Sequence, residues 1–321
     1  MRFSRIFGAC LGLSLSLFFS GCQAHPSPQT EMVDLAADLA SYAQQRSPGF
    51  LLVGNGAVGL LEVTPENPEA NVQKLLRALD GFLTESVFYV EGEDGTDGPQ
   101  PEDMAAYLQA MLQKPLSAGK AVFTLDYVQG AARAAEVRQA GEAAGYVSMA
   151  TDRKELDVLP APPLAGESSG DVTALADVRN FAVLLNPDRF ESREAYLRAL
   201  AASPADLLII DLYYDETPLT ASEVARLRQK PQGGRRLVLA YLSVGEAADY
   251  RPYWQSGWRE GHPSWIAKRN PDWPGSYRVQ YWSRAWRHLL YGRADAYLDQ
   301  IIAAGFDGAF LDVMDAWQTF S

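Results

Sequence analysis

Six residues with carboxylate or amide side chains follow short apolar runs, each at or just past the end of a predicted strand. They are Asn55, Glu85, Asp126, Asp211, Glu246 and Asp312. One acid after a strand is uninformative, because such residues commonly cap helices or form turns. In a parallel barrel, however, the carboxyl ends of all strands meet on the face that carries the active site. The pattern therefore predicts a pocket lined by convergent carboxylates.

Convergent carboxylates suit three kinds of chemistry. A glycosidase needs one carboxyl group as an acid and a second as a base or nucleophile. A hard metal ion needs several oxygen ligands, and recognition of an organic cation needs negative charge without catalysis. Zinc is disfavoured, since His25, His262 and His288 show no ligand spacing and no free thiol is expected in the mature protein. We therefore expect neither a metal nor another cofactor.

Aromatic residues are concentrated between positions 241 and 291, which hold many of the 7 tryptophans and 15 tyrosines. Aromatic side chains beside acids are typical of sugar-binding clefts, because the apolar face of a sugar ring packs on an aromatic ring. The alternative is that these residues anchor loops or fill the core.

The acids depend on strands that alternate with helical segments. Apolar runs predict strands at 48–55, 79–86 and 120–127, then at 180–185, 206–211, 235–246, 277–282 and 307–313. Helical periodicity between them, as in 31–46 and 131–144, favours a parallel sheet. Eight such units predict an α/β fold, a single (β/α)₈ TIM barrel. Two separate α/β domains, divided at the Pro-, Gly- and Ser-rich segment 160–174, are the alternative, but they would not bring the acids together.

The first residues predict export and lipid attachment. Residues 1–21 combine a basic start, an apolar stretch and a small-residue cleavage site, so we interpret them as a lipoprotein signal peptide. Cys22 would then carry the lipid, and residues 22–30 would form a tether. Gln23, rather than Asp, after the cysteine favours the outer membrane of a bacterial envelope, facing the periplasm or the exterior. The net charge of −12 makes nucleic acid an improbable partner.

Four motifs resemble a known family. Residues 207–215 (LLIIDLYYD), 237–254 (LVLAYLSVGEAADYRPYW), 270–282 (NPDWPGSYRVQYW) and 305–317 (GFDGAFLDVMDAW) are similar, in this order, to the TIM barrels related to endo-α-1,4-polygalactosaminidase, glycoside hydrolase family 114. Segments before residue 160 also resemble this family, but there they follow the last of these motifs. The resemblance thus implies one circularly permuted barrel over 31–321. Its parts would be the family's C-terminal strands (31–159), a linker (160–174) and the family's N-terminal strands (175–321). Tandem half-barrels or a truncated product are the alternatives.

The resemblance also implies roles for individual residues. Asp312 and Glu85 would form the catalytic pair, with Glu85 as general acid/base and Asp312 as nucleophile or water-activating partner. Further residues would bind the substrate or tune the pair; they are Asn55, Asp126, Asp211, Tyr213, Tyr241, Glu246, Arg251, Tyr281, Trp282 and Asp315.

The function that follows is a lipid-anchored hydrolase that cleaves an α-1,4-galactosamine-like polysaccharide. Its partners would be a cationic amino-sugar polymer and the membrane that holds the lipid. Two alternatives remain open at this point: a non-catalytic polysaccharide-binding lipoprotein with a degenerate cleft, and a metal-dependent hydrolase or esterase.

Overall fold

The computed structural model describes residues 26–91 and 96–321, and a sheet of eight parallel strands lies at its centre. The strands are β1 (Leu51–Asn55), β2 (Gly81–Glu85), β3 (Ala121–Tyr127), β4 (Val147–Thr151), β5 (Phe181–Leu184), β6 (Leu207–Ile210), β7 (Leu237–Ser243) and β8 (Gly308–Asp312). Their order in the sheet is β4-β3-β2-β1-β8-β7-β6-β5. Strands that are consecutive in the chain are therefore neighbours in the sheet, except β4 and β5, and β8 lies beside β1 as in a barrel. The predicted TIM barrel is confirmed.

Eight helices accompany the strands in the described part of the chain. They are α1 (Pro28–Arg46), α2 (Glu69–Ala78), α3 (Glu102–Ser117), α4 (Gly130–Ala144), α5 (Arg193–Ala202), α6 (Ala221–Leu227), α7 (Arg284–Leu290) and α8 (Tyr297–Ala303). None of these helices, within 26–91 and 96–321, is both long and apolar enough to cross a membrane. The predicted signal peptide and Cys22 lie outside the described residues. The predicted tether is partly wrong, since α1 already begins at Pro28, where Ser27 caps the N–H of Thr30 at 3.1 Å.

One strand prediction is wrong, and one barrel strand was not predicted. Residues 277–282 do not form a barrel strand: Ser276–Val279 is the middle strand of a small antiparallel sheet, between Glu246–Ala248 and Ile266–Arg269. The true eighth barrel strand is β4, a segment too short and too weakly apolar to be counted from its sequence. The segment 276–279 contains the polar residues Ser276 and Arg278, which a small antiparallel sheet accommodates more easily than a parallel strand buried on both faces.

The sheet is nearly closed, and the seam lies between β4 and β5. The backbone N–H groups of Leu185 and Asn186 donate to the carbonyl of Leu156, at 2.9 and 3.3 Å, across this gap. The connection from β4 to β5 contains no α-helix. Residues 161–171 of this connection are mostly exposed, and Leu164 among them packs against the core. Val172, Leu175 and Val178, in contrast, are buried in the cluster that fills the barrel interior.

The two ends of the described chain meet on one side chain. The hydroxyl of Tyr281 donates to the carbonyl of Pro28 at 2.7 Å, and the Tyr281 ring contacts Phe320 edge-on at 6.0 Å. α1 packs against α2 and against the 3₁₀ helix Met314–Thr319 that follows β8. It thereby occupies the position between β8 and β1 that the helix of a regular β/α unit would take.

Candidate active site

Three adjacent strands deliver the central polar groups of the cleft. Asn55 ends β1, and its neighbours β2 and β8 end at Glu85 and Asp312. The side-chain amide nitrogen of Asn55 lies 2.8 Å from Glu85 Oε1 and 2.8 Å from Asp312 Oδ1. One amide group therefore donates to both carboxylates, and these two oxygen atoms are at most about 5.6 Å apart, twice the bond length.

The chain leaves each of these three strands through a left-handed residue. Gly56, Ser86 and Val313 have φ values of 74°, 55° and 62°. Positive φ is uncommon in residues other than glycine and costly for a β-branched one such as Val313, and such strain is concentrated at functional sites. A sharp turn directly after the strand lets Asn55, Glu85 and Asp312 end their strands in the cleft while the following loops move away from it.

Two tyrosines complete the hydrogen bonding of the pair. The hydroxyl of Tyr127, the last residue of β3, donates to Glu85 Oε2 at 2.9 Å. The hydroxyl of Tyr241 on β7 and the N–H of Val313 bond to Asp312. Sequence reasoning missed Tyr127. The alternation of side chains along a strand could have found it, because Phe123 and Leu125 point into the barrel and Tyr127 has the same parity.

The environment raises the pKa of both carboxyl groups. For Glu85 the main cause is removal from water and the second is the negative charge of Asp312; the hydrogen bonds from Asn55 and Tyr127 oppose the rise. For Asp312 the main cause is again burial, opposed by its three hydrogen-bond donors. The side chain of Glu85 is nevertheless exposed and that of Asp312 is half-buried, so solvent and a substrate can reach the pair. Neighbouring carboxyl groups with raised pKa are the usual arrangement of an acid and its partner in catalysis.

Two further predicted acids lie beside the pair. Glu246 is buried, and its Oε1 accepts from the amide of Asn270 at 2.7 Å and pairs with Arg278 at 3.0 Å. Burial raises the pKa of Glu246, and the charges of Asp312 and Asp315 add to the rise. Asp315 is partly exposed and lies 3.6 Å from the guanidinium of Arg278. Arg278 thus joins two acids next to the pair: the charge of Asp315 raises the pKa of Asp312, and the charge of Asp312 raises that of Glu246.

Asp211 and Arg251 are brought together on one side of the cleft. The guanidinium of Arg251 binds both oxygens of Asp211, at 2.9 and 2.6 Å. Four tyrosine rings surround this guanidinium at 5.3 to 5.8 Å; they belong to Tyr213, Tyr241, Tyr250 and Tyr297. Asp211 is therefore saturated by its cation, and its main effect is to hold Arg251 in this cage.

Three predicted substrate-binding residues lie elsewhere. Asp126 is fully buried, and its Oδ1 accepts the backbone N–H groups of Phe88 and Tyr89, so it anchors the loop that follows Glu85. Its neighbour Tyr127 takes the place in the cleft, because successive side chains point to opposite faces of a strand. Tyr281 and Trp282 pack against Phe320 where the chain ends meet.

The donor set does not favour a metal. Among residues 26–91 and 96–321, no group of three or more His, Cys, Asp and Glu side chains is arranged to hold an ion. The oxygen atoms of the pair are instead occupied by neutral N–H and O–H donors, which suit proton transfer and nucleophilic attack.

Part of the chain, including Asp312 but not Asn55 or Glu85, matches a known family. Residues 181–321 match the model of glycoside-hydrolase family GH114. An uncharacterized protein of Deinococcus radiodurans is 46% identical over 123 residues, which are 38% of this chain and 37% of that protein. An uncharacterized protein of Methanocaldococcus jannaschii is 30% identical over 50% of this chain and 46% of its own length. The chain spans less than half the length of these relatives.

Proposed function

We propose that this chain is a glycoside hydrolase of the GH114-like group of TIM barrels, with Glu85 and Asp312 as its reacting groups. The observation that carries the proposal is the single amide of Asn55 that donates to both carboxylates at 2.8 Å. Such a bridge fixes the spacing of two acids that a substrate can reach. Glycosidases require this spacing because the acids flank the bond to be broken.

The partners of the two acids support different roles. Asp312 accepts three hydrogen bonds, from Asn55, Tyr241 and its own following N–H, and these favour its ionised form. Glu85 accepts two, and the charge of Asp312 favours its protonated form. Glu85 therefore donates a proton to the leaving oxygen, while Asp312 attacks the anomeric carbon.

The spacing of the carboxylates also supports a stereochemical outcome. Retaining enzymes hold the two carboxyl groups about 5–5.5 Å apart, whereas inverting enzymes hold them about 6.5–9.5 Å apart to admit a water molecule. The oxygens that share the Asn55 amide are at most about 5.6 Å apart. This favours a covalent glycosyl-Asp312 intermediate. A water molecule then hydrolyses the intermediate, and Glu85 accepts the proton of that water as it attacks.

The proposed substrate is an amino-sugar polysaccharide of the α-1,4-galactosamine type. Glu246 and Asp315 lie beside the pair and share the single cation Arg278, so the two acids carry an excess of negative charge that would attract protonated amino groups. The proposed location is the bacterial envelope, with the protein held by a lipid on Cys22. Incorporation of labelled palmitate into the wild type, and its loss in a Cys22→Ser variant, would test the anchor.

The decisive experiment is hydrolysis of partly deacetylated α-1,4-galactosamine polymer. We expect Glu85→Gln and Asp312→Asn each to lower product release by at least about a thousandfold. Glu69→Gln, an exposed acid on α2, is the matched control and should behave as wild type. Equal release by all four proteins would refute the assignment of the pair. Polymer binding without any cleavage, even by the wild type, would favour a binding protein.

We also propose that the barrel is circularly permuted. The linker joins β4 to β5 without an α-helix, α1 fills the position after β8, and Pro28 and Phe320 both contact Tyr281. The match to the family covers 181–321, which begins at β5. All four observations are consistent with a barrel whose usual ends lie at the seam between β4 and β5.

A further inference from the structure

Tyr250 combines exposure with a fixed position. It lies just past the strand Glu246–Ala248, and 56% of its surface is exposed. Its hydroxyl end is nevertheless enclosed, because it bonds to Ser276, and burial raises the pKa of this hydroxyl. The side chain thus lies at the rim of the cleft with its polar end inward and much of its ring in water.

One face of the Tyr250 ring is already occupied. The guanidinium carbon of Arg251 lies 5.3 Å from the ring centroid, and Arg251 is held in turn by both oxygens of Asp211. Gly275, with φ of 89°, lies against the ring edge, where even a Cβ atom would come within 3.4 Å of Cδ1. The ring is therefore ordered in advance, which lowers the entropy cost of any ligand that stacks on it.

Tyr250 is continuous with the reacting groups. Arg251 lies 5.8 Å from the ring centroid of Tyr241, so the Tyr241 and Tyr250 centroids are at most about 11 Å apart. Tyr241 bonds to Asp312, and Tyr250, Tyr241 and Glu246 line one cleft. An oligosaccharide that extends from Asp312 along Tyr241 would therefore reach Tyr250.

We propose that Tyr250 is an aromatic platform for a pyranose ring of the polysaccharide, at a subsite beyond the bond that is cleaved. This inference rests on the proposed function. An exposed, immobilised aromatic ring offers a flat apolar surface that suits the C–H face of a sugar. Because the subsite is remote from the reacting groups, it adds affinity only for chains long enough to reach it.

Three variants distinguish a sugar platform from a structural cap, that is, a ring that only covers the guanidinium of Arg251. Tyr250→Ala removes the ring, and Tyr250→Phe keeps it while losing the hydroxyl. Trp273→Ala removes an aromatic side chain of similar exposure, 52%, from the same region of the chain. The rates of cleavage of galactosamine oligomers are measured as kcat/KM against chain length.

We expect Tyr250→Ala to lower kcat/KM on long oligomers by about tenfold and to leave the shortest cleaved oligomer within about twofold of wild type. Tyr250→Phe and Trp273→Ala should follow the wild type at all lengths. An equal loss at every length would indicate a cap on Arg251 and overturn the platform, as would wild-type rates in Tyr250→Ala. An equal loss in Trp273→Ala would also overturn it, because any exposed aromatic ring would then serve.

Calorimetric binding of the same oligomers to proteins carrying Glu85→Gln separates this inference from the proposed function. If the wild type cleaves, but Tyr250→Ala lowers neither the affinity for long oligomers nor their rate of cleavage, only the platform is wrong. If the wild type binds without cleavage and Tyr250→Ala loses affinity, the platform stands and the hydrolase does not. If no protein binds or cleaves, both are wrong.

Discussion

Asp206 precedes β6 at the amino end of the barrel, whereas Glu85 ends β2 at the carboxyl end, and their surroundings differ. Asp206 is fully buried, pairs with the equally buried Lys230 at 2.9 Å and accepts the N–H of Arg179 at 3.0 Å. Glu85 has neutral partners only, Asn55 and Tyr127, and shares the first with a second carboxylate.

The other acids at the amino end resemble Asp206. Asp307, before β8, pairs with Arg228 and Arg235 and accepts the N–H of Val238 at 3.0 Å. Asp80, before β2, accepts the N–H of Leu52 at 2.9 Å. Acids at this end therefore join neighbouring strands through cations and backbone groups. Acids whose partners are neutral and shared can exchange protons. The partners of an acid, rather than its position after a strand, therefore show whether it has a structural or a catalytic role.

The largest expected effect is the loss of stability when the buried acid at the amino end is removed. Asp206→Ala leaves Lys230 as an uncompensated buried charge, and we expect the free energy of unfolding to fall by about 3–5 kcal/mol. Glu85→Gln should unfold at the same or a higher temperature than wild type at pH 7, because burial and Asp312 already oppose its charge. Urea and thermal unfolding measure both.

The control for Asp206 is the double variant Asp206→Ala, Lys230→Met, which removes both charges and should recover most of the lost stability. If it stays as unstable as the single variant, the buried charge is not the cause and the comparison fails at this end of the barrel.

Asp126 lies near the carboxyl end of β3 but binds backbone groups, so we expect it to have a structural role despite its position. Burial raises its pKa to about 6 from the ordinary 3.8. The folded state therefore binds the proton more strongly than the unfolded state, and this contribution to stability is complete below pH 3.8 and lost as the pH rises through about 6. Two pKa units correspond to roughly 3 kcal/mol.

Asp126→Asn keeps an oxygen to accept from Phe88 and Tyr89 and removes the titration. We expect the variant to match wild type near pH 4 and to be more stable than wild type near pH 7.5. A constant difference across this range in urea unfolding would mean that Asp126 does not titrate there.

Asn55 should affect activity more than stability. Its amide lowers the pKa of both Glu85 and Asp312, so Asn55→Ala should move the low-pH limb of kcat/KM to higher pH and lower the rate by about 10- to 100-fold. Asn71→Ala, which removes a buried amide bonded to Thr30 instead, is the control. An unchanged pH profile in Asn55→Ala would show that the bridge does not set the titration of the pair.

The smallest expected effect concerns the chain ends. A variant that begins at Ser169, ends at Ser168 and joins Ser321 to Pro26 through a short flexible link keeps the cap of α1 and should fold with a melting temperature within a few degrees of the wild type. New ends in exposed segments are tolerated when the joined ends are close. Loss of folding would contradict the proposed permutation.

Much of this arrangement could be predicted from the sequence. Apolar runs of strand length, each followed by a polar residue, predicted seven of the eight barrel strands and the positions of Asn55, Glu85 and Asp312. Such runs are local, because a strand buried on both faces must be apolar throughout. The same logic failed for β4 and for residues 276–279, where only neighbouring strands decide which segment is enclosed.

The amino-acid sequence was enough to predict that Asn55, Glu85 and Asp312 end apolar strands of one barrel. Packing in the folded barrel sets which acids share a donor, which are neutralised by cations, and that Tyr127 belongs to the site while Asp126, Tyr281 and Trp282 do not. The physical reason is that charge and pKa depend on partners within a few ångströms. Closure of the barrel supplies those partners from positions up to 257 residues apart, as between Asn55 and Asp312.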